Sequence, residues 1–153
     1  MEKPFKGAFA ILIILLSFIP AVAGYGSDAD LPPGASAEEC EINAAARKYL
    51  DAEVARDLKT VYDCLAPSSI YRATHDRDAY LAEAEASPVR IRKYQILQIT
   101  HIRVNEDKKT YPRVEKFAQV EVDVQFLYID SGETSEVNFA FTFIREGGRW
   151  YKG

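Results

Sequence analysis

His75 and Asp76 stand side by side, an imidazole next to a carboxylate in a loop that leads into a helix. At the mouth of a pocket such a pair could carry a proton to or from a substrate, although the same Asp is equally suited to capping the helix it opens. His101, far along the chain, reads as a satisfied sheet residue. With no spaced cluster of carboxylates or cysteines near either histidine, the ligand set of a zinc site is missing, so neither metal nor cofactor is expected. Cys40 and Cys64 have no His nearby in sequence to make either a nucleophile.

Cys40 and Cys64 leave two readings open. A single continuous helix would hold them roughly 36 Å apart, which forbids a bond. On two helices that fold back on each other they approach, short of contact unless a kink or splay closes the gap. They are therefore either a disulfide suited to an oxidising compartment or two separately buried thiols.

The compartment is set by the first residues. Lys3 and Lys6 precede an uncharged apolar run from Gly7 to Ile19, then Pro20 and Ala21-Val22-Ala23 before Gly24. That is the order of a secretory signal peptide, so residues 1–23 are expected to be removed after Ala23 and the chain to be periplasmic or secreted. The alternative is a retained anchor, since the uncharged stretch continues through Ser27. Contact with the membrane is otherwise expected only in transit. Losing Lys3, Lys6 and Glu2 takes the formal charge from -4 to about -5. An acidic chain with small basic groups, Arg90-Ile91-Arg92-Lys93 and Lys108-Lys109, is a poor partner for nucleic acid.

About 130 mature residues suffice for one domain with its own core. Residues 24–37, with Leu31-Pro32-Pro33-Gly34, read as a flexible lead-in, and the domain as residues 38–153. After Ser36 the residues Ile42, Ala45, Ala46, Tyr49, Leu50 and Val54 recur at helical spacing. A shorter helix carries Leu58, Val61, Tyr62 and Leu65 and stops before Pro67; a third runs from Asp76 or Arg77 to Glu85. After Pro88 the period becomes two. Ala118, Val120, Val122, Val124, Phe126 and Tyr128 alternate with polar residues, and Val137, Phe139, Phe141 and Phe143 repeat the pattern. Glycine turns at Gly132 and Gly147-Gly148 close a meander. In Val89 to Val104 apolar residues fall on both parities, as a bulge or a doubly buried strand would produce.

Helices followed by a curved antiparallel sheet, with Ala46 to Tyr62 spanning two helices across a corner Asp57 and a last glycine turn before Trp150, resemble the nuclear transport factor 2-like superfamily. The resemblance covers roughly Ala37 to Gly153. It implies an α+β cone, N-terminal helices packed on a curved sheet; the nearest rival is the cystatin fold, one long helix on a sheet. Members include isomerases, dehydratases and domains without chemistry. Ketosteroid-isomerase-like members carry a first-helix Tyr where Tyr49 stands, but the stretch that should hold their general base, Ile70 to Thr74, has no carboxylate. The inward positions of the strand from Ala118 to Tyr128 are apolar, and parity puts Asp123 outside.

Tyr49, Phe126, Tyr128, Phe139, Phe141 and Trp150, with Phe143, could line the concave side of the sheet and hold an apolar small molecule, or they could fill a core. A sheet-to-sheet homodimer could instead use Leu127, Ile129, Ala140 and Ile144, and another protein partner is the other possibility. The expectation is an exported domain that binds an apolar ligand or a protein partner without catalysis. One alternative is a pocket isomerase or dehydratase using Tyr49 with His75 or Asp76; another is an accessory domain with a filled core.

Overall fold

The computed structural model describes Leu31 and residues 33–153. The expected signal peptide and most of the expected lead-in lie outside the described residues.

Ser36 starts helix α1, Ala37–Ala55, with a capping box: its hydroxyl accepts from the Glu39 amide at 3.2 Å and the Glu39 carboxylate accepts from the Ser36 amide at 2.7 Å. Arg56, left-handed at φ 57°, ends the helix, and Asp57 turns the corner by accepting from the Thr60 amide at the start of α2, Leu58–Cys64. A five-residue helix α3, Ile70–Thr74, follows; α4, Arg77–Glu85, completes the helical part. The periodicity did not predict α3. It buries no residue, with Ile70 74% exposed, so it leaves no apolar stripe; it is held locally by Ser69, which caps Arg72, and by the Thr74 hydroxyl, which donates to the Ile70 carbonyl.

Strands β1 (Val89–Val104), β2 (Val114–Tyr128), β3 (Thr134–Glu146) and β4 (Arg149–Lys152) form one antiparallel sheet in chain order. β2 begins earlier than its alternation suggests, because Val114 pairs with Glu146 across an irregularity before Lys116. The mixed parity of β1 comes from bulges. Register shifts at Ile91/Lys93, Ile96/Gln98 and Thr100/Arg103 return Ile91, Tyr94, Ile96, Ile99 and Ile102 to the same core. His101, expected as a satisfied sheet residue, sits in the last bulge at φ 55°, exposed, with Nδ1 3.0 Å from the Thr100 hydroxyl.

The α+β architecture with N-terminal helices on a curved antiparallel sheet is the one the resemblance implies. α1 lies along one face of the sheet, α2 folds back beside it, and α4 packs on α2. The core joins Ile42, Ala46, Leu50 and Val61 to Ala118, Val120, Val122, Val124 and Phe143. One end of α1 is pinned by Glu38, which accepts from Lys116 at 2.8 Å and lies 3.6 Å from Arg145. On the other face a smaller cluster seats Ile144 with Ala66, Val114, Phe117 and Tyr151. Ile144 is therefore a core residue of its own chain, which removes it from the expected dimer surface.

Candidate functional site

The buried stripe of α1 contains Ile42, Ala46, Tyr49 and Leu50, and one turn beyond Tyr49 it reaches Glu53. The i to i+4 spacing places the phenol over the carboxylate, and the Tyr49 hydroxyl donates to Glu53 Oε1 at 2.9 Å. Burial pushes the Glu53 carboxyl above its usual range, against the Tyr49 hydrogen bond and the charges of Arg56 and Lys152, which favour the anion. Burial, then the neighbouring Glu53, raises the Tyr49 phenol.

Three other elements close around this pair. β4 brings Lys152, in register with Phe143. Its Nζ lies 5.7 Å from the centre of the Phe141 ring and donates to a main-chain oxygen of Gly153. Burial lowers its pKa, opposed by the charge of Glu53. β3 brings Phe141, which meets the Tyr49 ring edge-on at 6.1 Å. α4 brings Tyr80, packed on Tyr62 at 5.2 Å, its phenol pushed up to about 12 by burial and then by Glu53. Arg56 ties the end of α1 to α4 by donating to the Ala84 carbonyl at 3.0 Å.

From Phe141 an aromatic wall runs outward along the same face. Phe139 stacks on Phe141 at 5.8 Å, and Phe126 meets Phe139 edge-on at 5.7 Å. Phe139, Val137 and Tyr128 are each 41% exposed, so the wall begins against the core and continues past the cover of the helices. The structure thus brings together Tyr49, Phe126, Phe139 and Phe141 of the expected ligand set. Tyr128 stands at the outer end, its oxygen accepting from the Ser135 hydroxyl at 3.3 Å. Phe143 and Trp150 are buried in the core, and Trp150 stands apart from this wall, in the lining of a separate groove.

His75 and Asp76 are held by local structure. Asp76 caps α4 by accepting from the Ala79 amide at 2.8 Å, and His75 lies between the Thr74 hydroxyl at 2.9 Å and Glu83 at 3.3 Å. The Tyr49 hydroxyl is directed to Glu53 and not to them. Asp123 is exposed, accepting from the Asn138 amide at 3.0 Å. Cys40 and Cys64 are unbonded, the first exposed and the second buried. Cys64 lies in a groove of about 370 Å³ with Ala44, Lys48 and Trp150, and a hollow of about 480 Å³ beside the β1 bulge is lined by His101, Arg103, Tyr111 and Phe117. Among the described residues no group of three or more His, Cys, Asp or Glu could hold a metal ion, and no helix is long and apolar enough to cross a membrane.

Sequence reasoning missed Glu53 and Lys152. Glu53 lies one turn after Tyr49 on the apolar stripe and Lys152 shares the parity of Trp150, but neither position marks a buried charge until the tertiary cover is known.

No family model and no curated protein matches the sequence. Among solved structures the chain is similar to a ketosteroid isomerase-like protein from Erwinia carotovora atroseptica, at 15% identity over 76% of this chain and 91% of that one, with a TM-score of 0.49.

Proposed function

We propose that the chain is an exported domain that binds an apolar, ring-bearing small molecule on the wall of Phe126, Phe139 and Phe141, with the ligand's polar end toward Tyr49, Glu53 and Lys152. The observation that carries this reading is the Phe139–Phe141 stack, which leads from the core into open surface on the face that holds the Glu53 carboxyl. Aromatic faces with a few convergent polar groups suit a flat apolar molecule with one hydrogen-bonding end. Removal of residues 1–23 belongs to the same proposal: protein recovered from outside the cytoplasm should begin at Gly24 by intact mass.

Titration with 2-naphthylmethanol, followed by naphthalene fluorescence, tests the wall. Saturable binding is expected, weakened about tenfold by Phe139→Ala, which removes an exposed ring without hollowing the core. A folded protein with no saturable binding would return the chain to an accessory domain with a filled core.

A second reading, a pocket enzyme, is favoured by Glu53. The carboxyl absent from Ile70 to Thr74 is supplied instead by α1, beside a phenol, in surroundings that raise its basicity. Turnover of a bound ketone that is lost in Glu53→Gln would favour this reading over binding alone.

A further inference from the structure

Lys152 stands apart from other lysines of the chain in what surrounds its amine. Lys116 is paired with Glu38 at 2.8 Å, Lys93 lies 3.3 Å from Glu136, and Lys108 donates to the Val114 carbonyl at 2.6 Å. The Lys152 amine lies over the Phe141 ring at 5.7 Å, at the inner end of the aromatic wall, and donates to a main-chain oxygen of Gly153, the last residue of the sequence. Phe141 also meets the ring of Tyr49, whose hydroxyl is bonded to Glu53. The amine and the phenol thus meet one aromatic ring, the phenol is hydrogen-bonded to the carboxyl, and the Lys152 backbone is placed by its pairing with Phe143.

We infer that Lys152 is a covalent capture site for aldehydes or ketones carried on an apolar ring, forming an imine at Nζ. The inference rests on the wall being the binding surface.

Each step balances with groups in place. The Nζ lone pair adds to the carbonyl carbon, the π electron pair of the C=O bond moves to oxygen, and a proton passes from nitrogen to that oxygen to give a carbinolamine. The Glu53 carboxyl then protonates the hydroxyl, which leaves as water while the nitrogen lone pair forms the C=N bond. The iminium proton returns to the Glu53 carboxylate, and the neutral imine remains. No oxidant or reductant is needed. Attack requires the unprotonated amine, which an apolar site favours, and departure of water requires a proton donor. Burial moves both groups in the needed direction, Lys152 down and Glu53 up. The charged and titratable groups that bear on the pair are Arg56 and Tyr49 from α1 and Tyr80 from α4. The apolar ring of the substrate would lie on Phe139 and Phe126, so the chemistry selects carbonyls attached to flat apolar bodies over small or charged ones.

The test uses the purified protein, 2-naphthaldehyde as the carbonyl probe and sodium cyanoborohydride to trap the imine at neutral pH, with peptide mapping of the labelled lysines. Lys152 is expected to be labelled at least about tenfold faster than exposed Lys59 and Lys109, and Glu53→Gln to lower that advantage about tenfold. Lys152→Arg should lose the adduct, and binding of 2-naphthylmethanol, which has the ring but no carbonyl, to the unsubstituted protein reports on the wall separately. Saturable binding of the alcohol with Lys152 labelled no faster than Lys59 would overturn the imine and leave the binding surface standing. Absence of both binding and selective labelling would overturn both. Selective labelling without saturable binding of the alcohol would sustain the reactive amine and overturn the role of the wall.

Discussion

Glu53 concentrates the chemistry of the site and also sets a testable pH dependence. Its carboxyl sits above the ordinary value of 4.5 in the fold because burial disfavours the anion. A raised carboxylate contributes stability fully below the unfolded value and loses it as pH rises through the folded one, so at neutral pH the fold carries an unfavourable buried charge. Glu53→Gln keeps an acceptor for the Tyr49 hydroxyl and removes that charge. It is expected to raise Tm by about 2–5 °C at pH 7, with the difference shrinking toward zero below the unfolded value, read by thermal melts across pH. A variant less stable than the parent at pH 7 would mean that the Glu53 anion is held favourably by Lys152 and Arg56. Tyr49 was legible because it lies on the apolar stripe. Glu53 was not, because a carboxylate reads as solvent-facing until the cover over its face is known. Lys152 was hidden for a similar reason: besides neighbouring β3, the elements around it include α1, which is distant in sequence.

At the level of elements, regular alternation was readable and its interruptions were not. β2 and β3 keep their period, so their inward faces follow directly from Val120 or Phe141. β1 contains three register shifts, and only pairing with β2 reveals where parity flips. The last shift places His101 at φ 55°, which costs a residue with a Cβ about 1 kcal/mol relative to glycine. Since the side chain is exposed, His101→Gly should stabilise the domain by about 0.5–1 kcal/mol, and His101→Val should destabilise it by about 1–2 kcal/mol, both measured by urea unfolding. Destabilisation by glycine would assign the contact with Thr100 more weight than the backbone strain. The caps at Ser36, Asp57 and Asp76 show the opposite situation. A cap is a local event, so its residue type in the sequence suffices to locate it, whereas α3 has local caps but no buried face to announce it.

At the scale of the molecule, the way the helices lie on the sheet decides both the site and the cysteines. α1 is anchored over Lys116 and Arg145 at one end and meets Phe141 at the other, so the aromatic residues beyond Phe141 remain uncovered. The same placement separates the thiols. Cys64 shares a groove with Ala44 and Lys48, which lie one to two turns along α1 from Cys40, and the two cysteines are unbonded. From sequence the helix lengths were known but the level at which α2 docks was not, so the bond could be neither assigned nor excluded. Cys64 is buried and its thiol is pushed up by desolvation, while Cys40 is exposed on the first turns of α1. Native protein should therefore react with one equivalent of a thiol reagent, and Cys40→Ser should abolish that reaction; unfolding should expose the second equivalent. A chain that yields no thiols even when unfolded would contain the disulfide, and α2 would have to slide along α1 toward Cys40 to make it. Such a slide would also pull the α2 and α4 pair away from Arg56 and Glu53, so the thiol count tests the geometry of the proposed site as well as the state of the cysteines.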